Sequence, residues 1–133
     1  MKRTLVFALV FLAFAPMAWG GGRIVFSSGR SGRWRIWVVN PDGSGLRQLT
    51  SGEGDHLDVD PMFSPDGKTI LFTSTRGGRA GAWLMAADGS KPRRICDGDQ
   101  AEWAPEGTRV AFRRGGALWV RHLPSGKERR LTP

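Results

Sequence analysis

The residues best equipped for chemistry stand in one stretch: Glu53, Asp55, His56, Asp58 and Asp60. Carboxylates in a loop can hold Ca²⁺, and a histidine among carboxylates can hold a transition metal. The spacing matches no metal-loop signature, so the stretch reads as a turn, and no metal or other cofactor is expected. Asp55, His56, Asp58 and Asp60 still concentrate charge where contacts with another molecule would form, and they are the candidate partner-binding rim.

Nucleophilic hydrolysis needs a nucleophile, a base and an orienting acid. The nearest approach to a nucleophile elbow, Gly29-Arg30-Ser31-Gly32-Arg33, has Arg33 where Gly-x-Ser-x-Gly requires glycine. The two histidines, His56 in a loop and His122 at a strand end, read as solvated. The single cysteine, Cys96, has no recognisable His or Asn constellation and excludes an internal disulfide framework. Gly29–Arg33 and Gly77-Gly78-Arg79 offer glycines for a phosphate, but neither opens a helix, so the P-loop mechanism is absent. The expectation is a chain without catalysis of its own.

The elements around these residues repeat. Ile24-Val25-Phe26, Ile70-Leu71-Phe72 and Val110-Ala111-Phe112 form one register; the strands around Trp37, Trp83 and Trp119 form a second. Leu49-Thr50, Ile95-Cys96 and Leu131-Thr132 form a third, which makes Cys96 a small filler at a strand end. Trp37 to Trp83 is 46 residues and Trp83 to Trp119 is 36, a period of about forty with slack in loops. Short β-branched and aromatic runs alternate with Gly, Pro and Asp turns, and no 3.6-residue periodicity follows the first twenty residues.

That pattern predicts an all-β fold of about three WD40-like β-propeller blades, each a four-stranded antiparallel sheet, at approximately 23–52, 58–97 and 100–133. The Phe63 and Trp103 segments are expected innermost, after which Ser64-Pro65-Asp66-Gly67 and the weaker Ala104-Pro105-Glu106-Gly107 make the blade turns. The first blade is incomplete, because Gly20-Gly21-Gly22 stands where its innermost strand would be. Rings use about four to eight blades. Three therefore imply a longer propeller, a second copy that completes six blades, or an open stack with exposed apolar ends.

Ahead of the repeats, Lys2 and Arg3, an apolar or small run from Leu5 to Phe14, Pro16 and Ala18-Trp19-Gly20 have the layout of a signal peptide over residues 1–20. The run is about half of the roughly twenty residues a spanning helix needs. A periplasmic or secreted chain is expected, with no membrane span after cleavage. Losing Lys2 and Arg3 leaves 18 basic residues of 20 against 12 acidic, a net charge of +6. The arginines are scattered a few per repeat, as solvated loops would carry them, and export removes the chain from DNA, so nucleic acid is not an expected partner. A polyanion binder remains a rival, and its binding would weaken steeply with salt.

Phe63-Ser64-Pro65-Asp66-Gly67-Lys68-Thr69-Ile70-Leu71-Phe72-Thr73-Ser74-Thr75-Arg76, followed by a Trp strand, Ala87-Asp88-Gly89 and Arg93-Arg94-Ile95, resembles the WD40-like repeat of the TolB family of periplasmic propellers. Trp103 to Phe112 is a weaker copy, and the resemblance covers nearly all of residues 23–132. It implies an exported, non-enzymatic adaptor that binds an envelope protein or peptide through loops and the channel mouth. It is specific for the blade and not for function, since such blades also gate prolyl oligopeptidase-type peptidases and build some polysaccharide lyases. An amino-terminal propeller segment of such an enzyme is the alternative.

Overall fold

The computed structural model describes residues 22–133, and the signal-peptide reading of residues 1–20 lies outside them. The described chain folds into eleven strands in three consecutive antiparallel sheets. Blade one holds β1 (Ile24–Ser28), β2 (Arg35–Val39) and β3 (Arg47–Gln48). Blade two holds β4 (Asp58–Phe63), β5 (Thr69–Ser74), β6 (Gly81–Ala86) and β7 (Arg93–Asp97). Blade three holds β8 (Asp99–Trp103), β9 (Arg109–Arg114), β10 (Ala117–His122) and β11 (Glu128–Arg130). Each sheet is a meander in chain order, and blade one has three strands. Among the described residues no helix is long and apolar enough to cross a membrane.

The blade turns are built locally. Gly67 and Gly107 sit at φ +72° and +75°, a region open to glycine because it has no Cβ. The Gly67 N–H donates to Ser64 O and the Gly107 N–H to Ala104 O, 2.8 and 2.9 Å. In the stronger copy the Ser64 hydroxyl also donates to Asp66 Oδ1 at 2.6 Å and accepts from the Thr69 N–H at 3.0 Å. Ala104 cannot do this, and Glu106 reaches instead to Arg109 Nε at 2.6 Å.

The outer strands are shorter than the sequence suggests. Leu49 and Leu131 lie just past β3 and β11, where the backbone bulges, and their N–H groups bond Ile36 O and Leu118 O at 2.8 Å each. The next residue then turns its side chain to the neighbouring strand. Thr50 Oγ1 accepts from the Ile36 N–H and Thr132 Oγ1 from the Leu118 N–H, 3.0 and 2.9 Å. Cys96 occupies that place opposite Ala82. The edge strands β4 and β8 carry a second bulge, with Asp60 and Gln100 at φ +53° and +49°.

Strand alternation gives each blade two apolar faces, and the cores lie between blades. Ile70, Phe72, Met85 and half-buried Trp83 of blade two pack on Ile36, Val25 and Leu49 of blade one. From the opposite face, Leu71, Ala82 and Leu84 pack on Val110, Phe112 and half-buried Trp119 of blade three. The central strand β5 is covered on both sides and is buried at every position after Thr69.

Candidate functional site

The two connections between blades are unequal. Blade two passes to blade three through Gly98 alone, between Asp97 and Asp99. Its φ is +131°, and a Cβ there would stand 2.4 Å from Arg113 O, so only glycine fits. Blade one passes to blade two through residues 49–57, which carry Glu53, Asp55 and His56. The long connection is the element free to build a surface.

Two arginines hold that loop. Arg35, on β2 and buried, donates to His56 O at 2.6 Å, Gly52 O at 3.3 Å and Trp34 O at 2.9 Å. Arg76, from the β5–β6 loop, donates to Ser51 O at 3.2 Å and to Asp58 Oδ2 at 3.1 Å. Asp58 is fully buried, and its N–H crosses to Trp34 O of blade one at 3.0 Å. The His56 ring turns inward to place Nε2 3.5 Å from Asp58 Oδ2, with about a tenth of the side chain exposed. The Leu57 N–H donates to Thr75 Oγ1 at 2.9 Å, which fastens the far end of the loop.

An open cleft of about 660 Å³ lies between this loop and the β5–β6 loop, lined by Ser51 to His56 and Thr75 to Gly78. On the other side of the loop a second hollow of about 500 Å³ is lined by Ser31, Gly32, Arg33, Arg35 and Gln48 with Ser51 and Gly52. Asp55 is exposed and pairs with Arg33 between the two. Glu53 also lines the cleft, is exposed, and has no ion pair among the described residues. The walls are therefore glycine backbone, carboxylates and guanidinium groups. They can exchange hydrogen bonds with an extended polar segment.

The four rim residues do not share one surface. Asp55 faces solvent, Asp60 is exposed at the β4 bulge, His56 is mostly covered, and Asp58 lies beneath the loop. The solvated reading of His56 is corrected by its contact with Asp58; His122 is exposed, with Nδ1 2.8 Å from Ser125 Oγ. Among the described residues no three of His, Cys, Asp and Glu come together as metal donors. Ser64, Pro65, Asp66 and Gly67 lie beside Pro105, Glu106 and Gly107, with the Gly107 Cα facing the Pro65 ring, at the end of the blades opposite the cleft.

Carboxylates outside the cleft are tuned by their turns. Hydrogen bonds from the Ser64 hydroxyl and the Lys68 N–H hold Asp66 below the usual carboxylate range. Ser44 and Ser90 do the same for Asp42 and Asp88. Burial pushes the Cys96 thiol up to about 11, aided by the Glu128 charge, and the thiol is inert accordingly.

Sequence reasoning missed the arginines. Arg30, Arg76 and Arg114 lie over Trp37, Trp83 and Trp119 at 5.1, 5.3 and 4.1 Å, within cation–π range, and Arg76 and Arg114 are half-buried where their scatter suggests solvated charges. The signal was present: Arg30 and Arg76 each precede their tryptophan by seven residues. Arg35 carried no such signal, because its partners are carbonyls of a loop 17 and 21 residues away.

The comparisons with known proteins agree with this architecture. A TolB-type protein from Agrobacterium tumefaciens is 25% identical, with a TM-score of 0.70 over 83% of this chain and 45% of its own. TolB from Acinetobacter baumannii is 18% identical, with a TM-score of 0.71 over 85% of this chain and 31% of its own. An oligogalacturonate lyase from Vibrio parahaemolyticus, at 12% identity and a TM-score of 0.64 over 84% of this chain and 34% of its own, shares the fold. No curated protein sequence matches. The chain spans less than half the length of each of these three structures. The profile described as the TolB beta propeller domain matches residues 2–132, and with three consecutive blades of that type the chain belongs to the TolB beta propeller domain family.

Proposed function

We propose that the chain is an exported, non-catalytic propeller module of the cell envelope that holds a protein or peptide through loop 49–57 and the cleft beside it. The observation that carries this reading is the contrast between connections. A nine-residue polar loop is clamped by Arg35 and Arg76 where the next connection needs only Gly98. Loops on rigid scaffolds are where binding groups concentrate. An extended segment lying in the cleft would meet glycine N–H groups and the free carboxylate of Glu53. The leader-like layout of residues 1–20 and the likeness to TolB support a place in the periplasm.

Photo-crosslinking in cells tests it. A crosslinking residue at Asp55 is expected to capture a discrete envelope protein, and the same residue at Ser125, in a turn at the opposite end, is not. Equal capture at both positions, or none at Asp55, rejects the cleft.

The likeness to an oligogalacturonate lyase favours one second reading, a propeller segment of an enzyme. It requires that the chain contribute to turnover of an acidic oligosaccharide. Incubation of the purified chain with oligogalacturonate is expected to leave the substrate uncleaved.

A further inference from the structure

Each blade has two unlike apolar faces, and both internal joints pair one kind with the other. An aromatic face, Phe72 and Trp83 in blade two or Phe112 and Trp119 in blade three, packs on an aliphatic face of the preceding blade. The aliphatic partners are Val25, Ile36 and Val38 in blade one and Leu71, Ala82 and Leu84 in blade two. Among the described residues, two faces have no blade against them. Alternation along β1 and β2 puts Phe26 and Trp37 on the outward face of blade one, and along β9 and β10 it puts Ala111, Leu118 and Val120 on the outward face of blade three.

These free faces are the two halves of the joint that the chain already makes twice. Phe26 pairs with Trp37 across its sheet as Phe72 pairs with Trp83 and Phe112 with Trp119. Leu118 stands where Ile36 and Ala82 stand, but it is 41% exposed while those two are at 0%. Arg30 over Trp37 is no obstacle, since Arg76 keeps the same stack over Trp83 inside a formed joint. The one departure is Arg113, where the internal aliphatic faces have Ser27 and Thr73, and Asp99 meets its charge at 2.9 and 3.1 Å.

We infer that the aromatic face of blade one docks on the aliphatic face of blade three in a second copy, and reciprocally, so that two chains close a six-blade ring. The joint is head-to-tail, and a head-to-tail joint that closes makes a ring. Six blades fall within the range that rings use. Pairing either face with itself would set aromatic on aromatic or aliphatic on aliphatic, an arrangement found at neither internal joint. This inference stands apart from the cleft and its partner.

Light scattering on the purified chain is expected to give twice the monomer mass. Phe26→Glu and Leu118→Glu each place a charge on one free face and are expected to give folded monomers by far-UV circular dichroism. Mixing the two variants restores a dimer, because the first keeps a working blade-three face and the second a working blade-one face. A parent mass other than two copies overturns the inference. So does a dimer lost with only one variant, or a mixture that stays monomeric. Ile24→Glu and Val120→Glu, on the same two faces, replace either variant that fails to fold.

Discussion

The Arg76 guanidinium stands 3.1 Å from the Asp58 carboxylate, which has no exposure to solvent, while its Cζ lies 5.3 Å over Trp83. One side chain thus joins the start of β4, the third strand of blade two and, through Ser51 O, the end of blade one. Removing one partner leaves a buried charge without its counter-ion. Arg76→Ala, which strands the buried Asp58 carboxylate, is expected to cost about 3–5 kcal/mol. The Asp58→Ala, Arg76→Ala double variant should cost less than the sum of the single changes, as contacting residues do. Urea titrations of the four chains measure both, and strict additivity would mean that the pair is not coupled.

The Asp66 turn gives a pH dependence with a definite sign. Its carboxyl is held below the ordinary 3.8, so the native turn favours the charged form. That contribution is fully present above pH about 4 and is lost as pH falls through the lower folded value. Asp66→Asn is expected to flatten the acid limb of a stability-against-pH curve while lowering the plateau at neutral pH. Ser64→Ala, which removes the first donor, should shrink the limb as the folded value rises toward 3.8.

Cys96 should be silent in the native state. With the thiol at about 11, only about one part in a thousand is thiolate at pH 8, and the side chain is buried as well. Labelling by a thiol reagent is expected to follow global unfolding rather than the reagent's intrinsic rate. Cys96→Thr copies Thr50 and Thr132 and should change stability by less than about 1 kcal/mol. Fast labelling of the folded chain would place the thiol at the surface.

Gly98→Ala tests the one-residue connection. The new Cβ would meet a backbone oxygen at 2.4 Å in a conformation that L side chains rarely adopt, so β8 must shift. A loss of about 2 kcal/mol or more is expected from strain of this kind. Gly78→Ala, also at positive φ but in open space, should cost about 1 kcal/mol. The difference in denaturation midpoint separates crowding from backbone preference.

Much of the fold was legible because blade chemistry is local. The turns at Ser64–Gly67 and Ala104–Gly107, the alternation in β5 and β9 and the Trp spacing name the strands without reference to anything distant. The register of β3 and β11 was not legible to the residue. The bulges that turn Thr50 and Thr132 toward the neighbouring strand depend on hydrogen bonds from the Ile36 and Leu118 N–H groups of that strand. The candidate site was legible as a place and not as an arrangement. Five acidic and histidine residues in eight positions mark a loop, yet sequence order says nothing of Asp58 lying under it or of Arg35 and Arg76 reaching in.

The sequence by itself determined the blade type and the three-fold repeat, since each rests on neighbouring residues and their period. Tertiary structure alone decided which charges are solvated and which faces are spent. Burial of Asp58 and His56 requires blade two to stack on blade one. The contrast of half-buried Phe26 and exposed Leu118 with buried Phe72 and Ile36 is a property of stacking order, because residues in the same register differ in whether another blade covers them.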